Sequence, residues 1–242
     1  MATSNNLGDL LTSIANAIRS KGGTTASINA QAFPSAIMNL PSGGGSETED
    51  AFVTRTLSTY ENSRVSTIGS YAFYSCSSLI TVSFPNVTTI GSSAFFYCSY
   101  LTTASFPNAT TIGNYAFNNC PRLTTISFPN VTTIRSSAFA YCNYLTTASF
   151  PNATTIGNYA FTYCSSLTTI SFPNVTTIGN YAFFYCSKLT KAYFLTSTVP
   201  TLSNSAFYNC RALTSIYVKS SLVTSFKTAT NWSSLSTKII GM

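Results

Sequence analysis

From Leu57 onward the apolar residues fall in an order that returns every 22 residues. A leucine is followed three positions later by alanine or isoleucine, then by phenylalanine, valine or alanine, isoleucine, an Ala-Phe pair and a cysteine. Cys76, Cys98, Cys120, Cys142, Cys164 and Cys186 keep that 22-residue spacing, and Cys210 follows after 24. A fixed period in this range marks a solenoid, whose coils bury their apolar sides only by stacking. The opening L-x-x-I-x-F alternates like a strand, with Ile170 and Phe172 inward. Pro173 then ends it, since proline cannot donate to a ladder. Val175, Ile178, Ala182, Phe183 and Cys186 supply further inward points. Residues 101–117 and 145–161 are identical, which points to duplication of a two-coil block. Parallel strands about 4.8 Å apart make seven or eight such coils a rod roughly 35 Å long. The expected fold class is mainly β: a solenoid over 57–216 with parallel strands.

The segments outside the repeats have a different pattern. Leu7, Leu10, Leu11, Ile14 and Ile18 recur at helical spacing and stop at Lys21-Gly22-Gly23. A second short helix is expected within 28–40, giving a helical hairpin over 1–40. PSGGGSETED begins a linker over 41–56. A helical cap is expected over 217–242.

The unit L-x-x-I-x-F-P-x-x-V-x-x-I-G-x-x-A-F-x-x-C resembles the BspA-like, or treponemal, class of leucine-rich repeats over about 57–216. The tail YVKSSLVTSFKTATNWSSLSTKII is similar to that family's carboxy-terminal cap, a helix followed by a tryptophan, here Trp232. Separately, LLTSIANAIRSKGGTTASINAQAFPSAIMNL resembles an amino-terminal segment common in phage and prophage tail proteins. The first resemblance implies adhesion through the solenoid, and the second implies attachment to a virion.

Composition narrows the chemistry. Only 7% of residues are charged, against roughly 25% in an average soluble domain, so Ser, Thr and Asn carry the surface polarity. Asp9, Glu47, Glu49, Asp50 and Glu61 are all the carboxylates, and with Arg19, Lys21 and Arg55 they leave residues 1–61 at −2. From Asn62 onward there are nine Lys or Arg and no acid, +9, which reproduces the net +7. Such a field suits nucleic acid or an anionic cell-surface polymer, or is scattered charge that only keeps the surface soluble. No dense basic run appears, so nucleic acid is not expected as a partner. No run of 18 apolar residues exists, so no membrane insertion is expected. The first 20 residues lack the basic start and apolar core of a secretory signal.

Catalysis has little to draw on. Without histidine, and without a carboxylate in the repeats, neither a carboxylate pair nor a Ser-His or Cys-His arrangement can form there. No enzyme, no cofactor and no metal site is expected, since CxxC pairs are absent too. The cysteines read as free thiols filling a core column, because parallel ladder side chains do not bring two Cβ atoms to the roughly 3.8 Å of a bridge. Asn86, Asn108, Asn130, Asn152 and Asn174 begin N-x-T sequons and Asn231 begins N-W-S. Coming after proline, the five read as turn residues bonding local backbone.

The copies differ most beside each cysteine, and there aromatic residues dominate. Tyr97, Tyr100, Tyr141, Tyr144, Tyr163 and Tyr185 are the candidate binding residues, expected to form a stripe of ring faces and hydroxyls. Lys188, Lys191 and Arg211 are expected to assist with an anionic ligand. The alternative is that the rings only cover the core between coils. Another face carries Thr and Ser ladders (Thr103 and Ser105, Thr125 and Ser127, Thr147 and Ser149), suited to a repetitive ligand or to self-association into a homo-oligomer. The expected function is a phage virion, tail-associated adhesion protein. Residues 1–40 would meet other virion proteins, and the solenoid a host cell-surface glycan or protein. The alternatives are a structural fibre or decoration protein and a leucine-rich repeat adhesin of the bacterial cell surface.

Overall fold

The computed structural model describes residues 59–63 and 65–242. The expected hairpin (1–40) and linker (41–56) lie outside the described residues. Each coil contributes two short parallel strands. The first type comprises β1 (Thr59–Glu61), β3 (Thr81–Ser83), β5 (Thr103–Ser105), β7 (Thr125–Ser127), β9 (Thr147–Ser149), β11 (Thr169–Ser171), β13 (Lys191–Phe194) and β15 (Ser215–Val218). The second comprises β2 (Thr67–Ile68), β4 (Thr89–Ile90), β6 (Thr111–Ile112), β8 (Thr133–Ile134), β10 (Thr155–Ile156), β12 (Thr177–Ile178) and β14 (Thr201–Leu202). The solenoid therefore has about eight turns, the mainly β architecture expected from the repeat.

Most of the first strands are three residues long with one inward residue, while β13 and β15 extend to four with two. Thr125 and Ser127 are exposed around buried Ile126. They form a sheet in the order β1-β3-β5-β7-β9, continued on the same side by β11-β13-β15. The second strands form a separate seven-stranded sheet. Register is set by the repeat: Thr103 pairs with Thr81 and Thr155 with Thr177, 22 residues away in each case. A third hydrogen-bonded side comes from the turns around the Ala-Phe pair. There Phe95 N–H donates to the Ala116 carbonyl at 2.7 Å, Phe117 to Ala138 at 2.8 Å and Phe139 to Ala160 at 2.9 Å. With three sides held at hydrogen-bond spacing, the coils cannot splay apart on one side, which favours a straight stack.

Two residues per coil on this turn side lie in the left-handed region. One row runs Tyr71, Ser93, Tyr115, Ser137, Tyr159, Tyr181 and Ser205; the other runs Ser75, Tyr97, Asn119, Tyr141, Tyr163, Tyr185 and Asn209. Non-glycine residues there cost about 1–2 kcal/mol each. The conformation turns their N–H groups toward the next coil: Tyr97 N–H reaches the Asn118 carbonyl at 3.0 Å and Tyr141 N–H that of Thr162 at 2.7 Å. Inter-coil hydrogen bonds thus offset the strain.

The core is two columns of phenylalanine. In one, Phe73, Phe95, Phe117 and Phe139 stack at 4.9, 5.0 and 5.3 Å. In the other, Phe84, Phe106, Phe128 and Phe150 stack at 5.5, 5.9 and 5.5 Å. Beside them run the thiols, all buried and free. Cys98 Sγ–H donates to the Phe73 carbonyl at 3.0 Å, and Cys120 through Cys210 repeat the contact one coil on each time. Burial pushes Cys142 up to about 12 and raises Cys76, Cys120, Cys164 and Cys186 as well. These thiols are protonated, apolar packing units.

The carboxy-terminal end is closed by α1 (Val223–Thr228), by short 3-10 turns at Ser220–Leu222 and Ser233–Lys238, and by a last strand, β16 (Ile239–Gly241). β16 adds to the first sheet beside β15. Trp232 is fully buried under this cap and meets the ends of both phenylalanine columns, at Phe194 and Phe207. Among the described residues no helix is long and apolar enough to cross a membrane.

Candidate functional site

The turn side carries the variable positions. Core burial there does not depend on the aromatic residues. In the coil with Asn118, Asn119 and Arg122, both Phe117 and Cys120 have no exposed surface, as in the coils with tyrosine. The rings are therefore not needed to cover the core. Tyr97 is 50% exposed, Tyr100 47%, Tyr141 41% and Tyr144 63%, while Tyr163 and Tyr185 are half-buried.

The structure brings only some of the expected residues together. Tyr141, Tyr163 and Tyr185 form a continuous stack, with centroids 5.0 and 4.8 Å apart and rings within 10° of parallel. Their faces lie against one another, so the stack offers ring edges and hydroxyls rather than the open faces expected from the sequence. Tyr97 stands apart, separated from Tyr141 by Asn119, with its ring edge-on to Phe96 at 4.8 Å. Tyr100 packs under the Arg122 guanidinium at 4.2 Å, a cation–π contact. Tyr144 lies in the same row as Tyr100, one coil beyond Arg122. Lys188 continues that row, and Arg211 sits at the equivalent corner one coil further on. Lys191 does not belong with them: it lies in β13, level with Thr169 of β11.

Other rings join this surface. Tyr159 stacks on Tyr181 at 5.2 Å, and Phe184 bridges Tyr181, Tyr185 and Tyr208 at 5.3, 4.6 and 5.7 Å. A second group, Tyr71, Tyr74, Phe96 and Tyr97, lies toward the amino-terminal coils. The two groups are separated by Asn118, Asn119 and Ala140. The sequence signal for Tyr159 and Tyr181 was the alternation of Asn-Tyr with Ser-Ser before the Ala-Phe pair, which makes this a second variable position.

The sequon asparagines have a different role from local turn bonding. Asn108 Nδ2 donates to the Pro85 carbonyl at 2.7 Å and Asn152 to that of Pro129 at 2.7 Å, each in the preceding coil. Thr110, Thr154 and Thr176 hydroxyls likewise donate to the residue 22 positions earlier. Near the cap a cleft of about 510 Å³ is lined by uncharged residues, among them Asn180, Leu202, Ser203, Asn204 and Asn231. Glu61 is the only carboxylate side chain among the described residues. The polar groups available on this surface suit binding: hydroxyls, amides, ring edges and a few cations.

Comparison with known proteins agrees with the coil geometry. The sequence matches the BspA type leucine rich repeat region in six copies, over residues 22–122, 48–164 and 110–238. No curated protein matches the chain. Among solved structures it is similar to a Treponema pallidum leucine-rich repeat protein, at 27% identity and a TM-score of 0.62, covering 66% of this chain and 79% of that one. A leucine-rich repeat protein from Bacteroides ovatus is similar in fold, at 24% identity and a TM-score of 0.50, covering 67% of this chain and 55% of that one. With repeat, register and cap all in place, the chain belongs to the BspA type leucine-rich repeat family.

Proposed function

We propose that this protein is a non-enzymatic adhesin of the bacterial cell surface, which recognises another surface through the tyrosine-rich turn side of its solenoid. One observation carries the reading: the one coil without aromatic residues at the variable positions beside the cysteine, with Asn118, Asn119 and Arg122, buries its core as well as the coils that have them. Folding does not explain the exposed rings, and large exposed aromatic groups mark interaction sites. Tyr141, Tyr163 and Tyr185 supply edges and hydroxyls, Tyr100 and Tyr144 the neighbouring row, and Lys188 and Arg211 a positive margin. The family match and the bacterial origin of both similar structures support a bacterial over a viral setting. The virion role expected from residues 1–40 rests on a segment outside the described residues, and the same comparisons give it no support.

Antibody labelling of the source cells tests the setting. Intact cells should be labelled, and brief protease treatment should remove the label. Labelling only after lysis, or co-purification with phage particles, would overturn the bacterial-surface reading.

A further inference from the structure

The strand face changes character in its last coils. From β5 to β11 its outward residues are only Thr and Ser, as in Thr103 and Ser105 or Thr169 and Ser171. In β13 these positions become Lys191 and Tyr193, and in β15 Ser215 and Tyr217. The inward residues Ala192, Phe194, Ile216 and Val218 remain fully buried. The fold is satisfied by Thr and Ser here, so the exchange serves the outside.

Tyr193 and Tyr217 stack at 4.7 Å and 16°. The next residue in their row is the small Ser171, level with Tyr193, so the side of the half-buried Tyr193 ring toward β11 carries no stacked ring. Lys191 lies two residues before Tyr193 and so projects from the same face about 6.7 Å away. Pairing of Ile216 with Ile239 sets Lys238 level with Ser215. Lys238 donates to the Leu213 carbonyl and keeps further ammonium hydrogens. Lys188 and Arg211 stand at the corner leading into the same strands. No carboxylate side chain among the described residues lies nearer than Glu61, in the first coil.

We propose that this end of the strand face is a binding site for an anionic glycan. The uncovered side of the Tyr193 ring takes the C–H side of a sugar ring, and Lys191, with Lys238 behind it, takes the sulphate or carboxylate groups. The site lies on a different side of the solenoid from the tyrosine stack, and its binding does not depend on cell-surface display.

The full chain is titrated with heparin, with polygalacturonate and with neutral dextran at physiological ionic strength. Binding to heparin or to polygalacturonate is expected and assigns sulphate or carboxylate as the recognised group. Lys191→Thr, Tyr193→Ser and Tyr217→Ser together install residue types that earlier coils carry at these positions. The triple variant should melt like the parent and bind at least tenfold more weakly. Lys227→Ser on α1 and Arg135→Gly, the latter restoring the usual residue of the repeat, should each stay within twofold. The proposal fails if neither polyanion binds, if dextran binds as well, or if the two control variants lose as much as the triple. Loss of cell labelling with glycan binding intact would instead count against the adhesin reading alone.

Discussion

Trp232 donates its indole N–H to the Pro200 carbonyl at 2.7 Å while its ring meets Phe226 edge-on at 4.9 Å. That bond ties the cap to the loop before β14, and the ring closes both phenylalanine columns. Trp232→Ala should remove about 3–5 kcal/mol, as for other large buried aromatic residues. Trp232→Phe should recover part of this, leaving the Pro200 carbonyl without its donor. Urea unfolding of both variants measures the difference.

The thiol column makes the fold sensitive to base. Burial raises the folded pKa of Cys76, Cys120, Cys142, Cys164 and Cys186 above the ordinary value near 9. The unfolded chain therefore holds fewer protons than the folded one above that pH, so stability falls as pH rises. It is intact below pH 9, and each thiol contributes a loss of about 1.4 kcal/mol per pH unit until its folded pKa is passed, about 12 for Cys142. Thermal melts from pH 7 to 11 should be flat and then drop steeply, and a Cys142→Ala variant should show a shallower drop.

At pH 8 these thiols should resist iodoacetamide in the folded protein. After unfolding without reductant all seven should be alkylated. A substantial disulfide-linked fraction in the mass spectrum would contradict the ladder.

Left-handed backbone at Tyr97 separates two substitutions that both remove the ring. Asn occupies the equivalent positions at 119 and 209 with φ of 57° and 59°, so Tyr97→Asn should be close to neutral. Tyr97→Val places a β-branched residue at a φ of 61° and should cost about 1–2 kcal/mol more.

Asn152 tests the inter-coil side-chain ladder. Removing its donor in Asn152→Ala should cost about 1 kcal/mol. Asn152→Asp sets an anionic oxygen against the Pro129 carbonyl and should cost more. Stability of Asn152→Ala equal to that of the parent would mean that the bond contributes nothing.

Much of this molecule was legible in its sequence because a 22-residue period fixes both register and which residues turn inward. Ile126, Phe128 and Cys142 are buried where the pattern placed them. The second sheet was not legible: strands such as β6, Thr111 and Ile112, are too short to alternate. The sequon asparagines were read as local because their partners, such as Pro129 for Asn152, lie a full coil away in the chain. Counting by coils would have set Lys191 with Thr169 rather than with the tyrosines, and would have exposed Tyr193 and Tyr217 as replacements for serine. Ring orientation within the Tyr141–Tyr163–Tyr185 stack depends on rotamers that spacing does not encode.

The central claim is that exposed tyrosines on the turn side, not the fold itself, carry recognition. Its most direct measurement compares the full chain with a Tyr141→Ser, Tyr144→Ser, Tyr163→Ser variant for binding to a panel of intact cell types. The variant should melt like the parent and bind at least tenfold more weakly, about 1.4 kcal/mol. Unchanged binding by the variant, above all if binding is lost instead when Thr103, Thr125 and Thr147 are enlarged, would contradict the account.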